Sequence, residues 1–120
     1  MSANRPRNYR TITRALLCCG VATLILAGSL GPSSATKPKS HTISIGDIKY
    51  LPATLIVRAG DTVVWKNDDI VPHTATAKNK RFDSGNIEPG ASWSYVAKKK
   101  GTYLYDCTYH PNMRGKLIVR

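Results

Sequence analysis

The fold class expected of this chain is an all-β sandwich, and three observations point to it. From His41 onward, apolar and β-branched residues alternate with polar ones at period two. Turn residues break this alternation about every eight to twelve positions, the spacing of short strands in a two-sheet fold. No stretch after Ala35 shows the 3.6-residue period of an amphipathic helix. A length of 120 residues allows one domain, or one domain behind a targeting segment, and excludes a large multidomain enzyme. With 42% hydrophobic and 21% charged residues the chain can build a core, so wholesale disorder is excluded as well.

The first 35 residues are expected to lie outside the fold. Arg5, Arg7, Arg10 and Arg14 precede an apolar run from Ala15 to Leu30, and Gly31-Pro32 ends it before the small residues Ser33-Ser34-Ala35. A basic start, an apolar centre and a small-residue exit describe a secretory signal peptide, which directs the protein to the periplasm. The apolar run is just shorter than the roughly 17–25 residues of a membrane-crossing helix, which favours cleavage over a retained anchor. Cleavage leaves residues 36–120 as the domain, and Cys18 and Cys19 leave with the peptide. The domain keeps 14 basic and 7 acidic residues, a formal +7, and Cys107 as its single thiol. A lone cysteine in an exported domain pairs with another chain, reacts, or binds metal.

The strands are read in order. Ile43 and Ile45 alternate with Thr42 and Ser44. Thr54 to Val57 ends at Ala59-Gly60-Asp61, and Val63 to Trp65 ends at Asn67-Asp68-Asp69. In Ala91 to Val96, Trp93 and Tyr95 share one face, and Lys98 to Gly101 makes a charged turn. Thr102 to Cys107 puts Tyr103, Tyr105 and Cys107 on one face, and Gly115 to Arg120 is the last strand. Seven or eight strands are expected in all. Pro52, Pro72, Pro89 and Pro111 fall at strand ends or in connections, where a sheet tolerates them.

Cys107, His110 and Met113 follow a Cys-x2-His-x2-Met spacing between the last two strands, and His73 follows Pro72 at the head of another run. Two imidazoles, a thiolate and a thioether are the donors of a blue-copper site, in which soft sulfur suits Cu(I) and imidazole suits both oxidation states. Each residue alone has a plainer reading, as a structural histidine, a buried small thiol or a core methionine. Zinc leaves Met113 unused, because structural zinc takes cysteine and histidine. A Cys107–His110 nucleophile lacks a third orienting group and an oxyanion hole nearby, so no enzyme is expected. His41 stands outside the motif and is expected to be solvated.

Asp61-Thr62-Val63-Val64-Trp65, Pro72-His73, Gly101 to Met113 and Arg114-Gly115-Lys116 together resemble the cupredoxins, the type 1 blue copper proteins. The short Cys-Thr-x-His-Pro-x-Met loop resembles that of amicyanin, and the chain as a whole is similar to amicyanin and plastocyanin-like members. The resemblance runs from about His41 to Arg120. It implies a Greek-key sandwich, one type 1 copper held by His73, Cys107, His110 and Met113, and an electron shuttle. The chain departs from amicyanin at two points, with Thr74 in place of the Asn that ties the two ligand segments together and Tyr109 in place of Pro. Thr74 must make that tie with its hydroxyl or leave the link weaker, and Thr108 beside Cys107 belongs to the same surroundings. The resemblance also puts His110 nearest the surface, where Pro72, Tyr109, Pro111 and Leu51 form an apolar collar.

Arg114 and Lys116 beside this loop suit steering of an acidic partner, whereas Lys78 to Arg81 and Lys98 to Lys100 are charged turns. The expected partners are redox proteins with an acidic or apolar patch, a dehydrogenase or a c-type cytochrome, meeting a monomer. Nucleic acid is not expected, since no base-stacking or groove-reading motif is present. Two other readings keep the same sandwich: a copper-delivery protein, and an exported binding module.

Overall fold

The computed structural model describes Gly31 and residues 36–120, so the expected signal peptide lies outside the described residues apart from Gly31. Among the described residues eight strands form two four-stranded sheets. They are β1 (Ser40–Gly46), β2 (Lys49–Leu51), β3 (Thr54–Val57), β4 (Thr62–Asn67), β5 (Thr76–Ala77), β6 (Ser92–Val96), β7 (Gly101–Asp106) and β8 (Arg114–Val119). One sheet runs β2-β1-β4-β6 and the other β3-β8-β7-β5. Every connection from β2 to β7 therefore passes from one sheet to the other. The pairs β1–β4 and β3–β8 are parallel and the remaining pairs antiparallel. This is the sandwich expected from the alternation. Among the described residues no helix is long and apolar enough to cross a membrane.

Alternation decides which side chains meet between the sheets. Ile43, Ile45, Val63 and Trp65 point inward from one sheet, and Val57, Tyr103, Tyr105, Leu117 and Val119 from the other. Each fully buried aliphatic side chain contributes about 1.5–3 kcal/mol relative to exposure, which makes this layer the main source of stability. Trp65 lies at its centre, edge-on to Tyr105 with ring centroids 5.5 Å apart and within 5.5 Å of Trp93. Trp93 and Tyr95 share the inward face of β6, as expected, and are half-buried.

Two short strands had no sequence signal, because β2 has three residues and β5 two, too few to show alternation. β2 is created by a two-residue turn, Asp47-Ile48, with φ of 50° and 56°. Both residues are left-handed, the conformation of the hairpin turn whose twist matches the flanking strands. Asn or Gly usually occupies it, and an isoleucine there is strained.

One glycine is required by packing. Gly115 on β8 pairs with Tyr105 on β7, and the tyrosine ring lies directly over it. A Cβ at position 115 would stand 2.1 Å from Tyr105 Cζ, and that buried ring has nowhere to retreat.

At the end of the sandwich where β1 and β4 begin, Asp61 accepts the N–H groups of Lys39 at 2.9 Å and Arg58 at 3.0 Å, and meets His41 Nε2 at 2.9 Å. His41 is thus a partly buried pin for the first strand and not the solvated residue expected. Its alternation along β1 hid a partner 20 positions away. The Lys39 N–H, the His41 ring and the Arg58 N–H hold the Asp61 carboxyl at about 2, well below its ordinary value.

Gly115→Ala should destabilise the protein by about 1–3 kcal/mol, the usual cost of overpacking, read from chemical denaturation. Because its folded value lies below its unfolded one, Asp61 stabilises fully above about pH 4, and that stability is lost as pH falls toward 2. Asp61→Asn should therefore lower the melting temperature at pH 6 and flatten its decline between pH 4 and pH 2.

Candidate metal centre

The site is built where two loops meet at the other end of the sandwich. The first leaves β4 at Asn67, whose side chain is fully buried. Its amide nitrogen donates to the carbonyls of Val71 and Ile87, both at 2.8 Å, and its amide oxygen accepts the Asp69 N–H at 2.9 Å. These bonds fold residues 67–72 into a tight loop that delivers His73 inward. A pair of backbone bonds with Ile87 then fixes His73, which is 0% exposed. The second loop leaves β7 at Asp106. The Cys107 N–H donates to the Met113 carbonyl at 3.2 Å, and the Met113 N–H to the His110 carbonyl at 2.8 Å. Cys107 through Met113 thus form a closed turn, with Cys107 and Met113 buried and His110 half-buried.

The loops bring three donors together. Cys107 Sγ lies 3.8 Å from His73 Nδ1 and 3.6 Å from His110 Nδ1, and all three atoms fall within 4.8 Å of one another. The imidazole rings stand 5.0 Å apart, tilted by 45°. Two donors each about 2.0–2.3 Å from one ion and roughly 120° apart are themselves about 3.5–4 Å apart. The spacing therefore fits a single ion, and the thiolate and imidazole donors, with the buried Met113 thioether on the same loop, fit type 1 copper.

Thr74 joins the two loops. Its N–H points at Cys107 Sγ from 3.3 Å, a direct contact from one ligand loop to the other. Its hydroxyl accepts the Thr108 N–H at 3.0 Å and the Thr76 hydroxyl at 3.0 Å, and lies within hydrogen-bond distance of the Thr108 hydroxyl at 3.3 Å. The Thr74 carbonyl accepts from Tyr50, a buried hydroxyl whose pKa is raised by burial first and then by Cys107, so it stays a donor. Threonine thus performs through its hydroxyl the tie expected of asparagine.

Several contributors had no sequence signal. Asn67 read only as a turn residue. Asp69 lies with Oδ2 3.1 Å from His73 Nε2. The Ile48 and Ile70 N–H groups, joined by the His73 ring, hold the Asp69 carboxyl below its ordinary range. Both residues act across an irregular loop with no period to mark them. Among the surface residues, Pro72 is half-buried, while Pro111, Tyr109, Leu51, Arg114 and Lys116 are exposed. The Tyr109 hydroxyl donates to Asn86, and Arg114 Nε donates to the Pro111 carbonyl at 3.3 Å. A surface groove of about 420 Å³ beside His110 is lined by Ile48, Tyr109, Pro111, Asn112 and Met113. Ile48, Ile70 and Val71 extend the exposed apolar surface of these loops beyond the residues expected.

Comparison with known proteins places this geometry in a family. The model of the cupredoxin-like domain matches residues 16–119, so the chain belongs to the cupredoxin-like family. It is 33% identical to amicyanin from Paracoccus versutus over 82 residues, which cover 64% of this chain and 62% of that protein, less than two thirds of its length. It is 34% identical to chloroplastic plastocyanin from Fritillaria agrestis, covering 82% of this chain and 71% of that one. A solved Cu(I) structure of an amicyanin mutant superposes with a TM-score of 0.64 at 31% identity, covering 68% of this chain and 82% of the other.

Thr74→Val keeps the side-chain shape but leaves the Thr108 N–H without its acceptor. It should lower the stability of the metal-free protein by about 1 kcal/mol, whereas Thr74→Ser should retain most of it, both read by denaturant titration.

Proposed function

We propose that this chain is a periplasmic blue copper protein that carries single electrons between redox partners. In this reading His73, Cys107, His110 and Met113 would hold the ion, the two imidazoles and the cysteine sulfur from the converging loops and Met113 through its thioether. The observation that carries it is the convergence of two imidazole nitrogens and one cysteine sulfur, fixed by backbone bonds in both loops. Bound there, copper supplies a one-electron Cu(II)/Cu(I) couple. The protein keeps its donors in one place whichever oxidation state is held, so little structure has to move when the electron does. Cys107 and His73 are closed to water, which protects the thiolate from oxidation and favours a resident ion over one handed on. A delivery protein needs donors open to exchange, so the carrier reading is preferred.

His110 is the half-buried donor, and it is the proposed exit for the electron. The apolar surface around it suits brief docking, since redox encounters bury little area and must release quickly. Arg114 and Lys116 at its rim favour a partner with acidic or apolar surface, a dehydrogenase or a c-type cytochrome. Export through the basic, apolar leader sequence puts such partners within reach, and the carrier works as a monomer without catalytic residues.

The test is colour. The protein with one equivalent of Cu(II) should show the intense blue thiolate-to-copper absorption, ascorbate should bleach it, and an oxidant should restore it. Cys107→Ser should bind Cu(II) without that band while keeping the β-sheet circular dichroism. A wild-type protein that binds Cu(II) yet remains colourless would overturn the proposal.

A further inference from the structure

We infer that Asp69 is a positioning residue for the metal centre: its carboxylate holds His73 in the tautomer that turns the Nδ1 lone pair toward Cys107, and keeps a negative charge against the ring. The inference rests on the electron-carrier reading above and adds to it the residue that sets the behaviour of the buried imidazole.

A neutral imidazole carries one N–H, and the tautomer follows from which nitrogen has an acceptor. His73 is fully buried, so water cannot decide. Nδ1 faces Cys107 Sγ at 3.8 Å and must keep its lone pair to act as a ligand. The proton then belongs on Nε2, which lies 3.1 Å from Asp69 Oδ2. An ionised carboxylate can only accept, so this contact permits one tautomer.

Asp69 is itself immobilised. Its N–H donates to Asn67 Oδ1 at 2.9 Å, its Oδ1 accepts the Ile70 N–H at 3.0 Å, and its Oδ2 also accepts the Ile48 N–H at 3.1 Å. The Ile48 bond is informative, because Ile48 sits in the left-handed region at φ 56°, a costly conformation for a β-branched residue. One carboxylate oxygen thus holds both the strained β1–β2 turn and the buried imidazole. A carboxylate behind a ligating histidine fixes the orientation of the ring, and its charge favours the more highly charged metal state.

Two variants separate shape from charge. Asp69→Asn keeps an amide oxygen for Nε2–H and removes the charge, whereas Asp69→Ala removes both. Nitrogen-edited NMR of the metal-free protein should show His73 protonated on Nε2 in the wild type and in Asp69→Asn, and a tautomer mixture in Asp69→Ala. In the copper-loaded protein, Asp69→Asn should weaken Cu(II) relative to Cu(I) about tenfold, a rise in potential of about 59 mV for one electron. An unchanged Nε2–H tautomer in Asp69→Ala would overturn the positioning role, and an unchanged potential in Asp69→Asn would overturn the role of charge. Failure of the wild type to turn blue would count against the proposed function alone, because the tautomer is read without metal.

Discussion

Thr74 bonds to the second ligand loop through both its backbone and its side chain, and the rest of the site depends on that contact. Its N–H faces Cys107 Sγ while its hydroxyl receives the Thr108 N–H, so one residue holds segments 33 and 34 positions apart in the chain. It extends the β5–β7 pairing, in which Thr76 lies opposite Asp106, one step further toward the donors. The deeper support comes from Tyr50, whose buried hydroxyl bonds the Thr74 carbonyl, and whose ring packs edge-on to Tyr105 at 4.7 Å. Ligand geometry is therefore continuous with the aromatic centre of the sandwich, a dense region with few ways to relax.

The two ends of the molecule have different work. The end bearing Asp61 and His41 is tied by a carboxylate that fixes the start of β1 against the β3–β4 turn, a purely structural arrangement. The opposite end gathers the donors, the half-buried His110 and exposed apolar residues from three connections. β7 runs between them, with the Lys98–Lys100 turn before its first residue and Cys107 after its last. That run of lysines consequently lies away from the donors, whereas Arg114 follows the ligand loop directly and Lys49 lines the groove beside His110.

The strands with alternating β-branched and aromatic residues were legible because a half-buried sheet imposes period two on whatever sequence fills it. Tyr103, Tyr105 and Cys107 all point inward, as their spacing required. The donors were legible for a related reason, since Cys107, His110 and Met113 sit on one short loop where spacing in the chain nearly equals spacing in space. Gly115 was readable as a motif residue, but its cause was not. Only the pairing of β7 with β8 shows the Tyr105 ring occupying the place of its missing side chain.

What the sequence by itself determined is the sandwich, its inward faces and the chemical identity of the donors, because these follow from local periodicity and from the types of atom available. Tertiary structure alone decided that His73 faces Cys107, that Thr74 replaces asparagine through its hydroxyl, and that Asp69 stands behind the buried ring. It also decided that His41 is pinned to Asp61. The reason is common to all four. Each is a directional contact with at least one partner in an irregular segment, and such a contact leaves no period in the chain, only a distance that exists once two sheets have closed on each other.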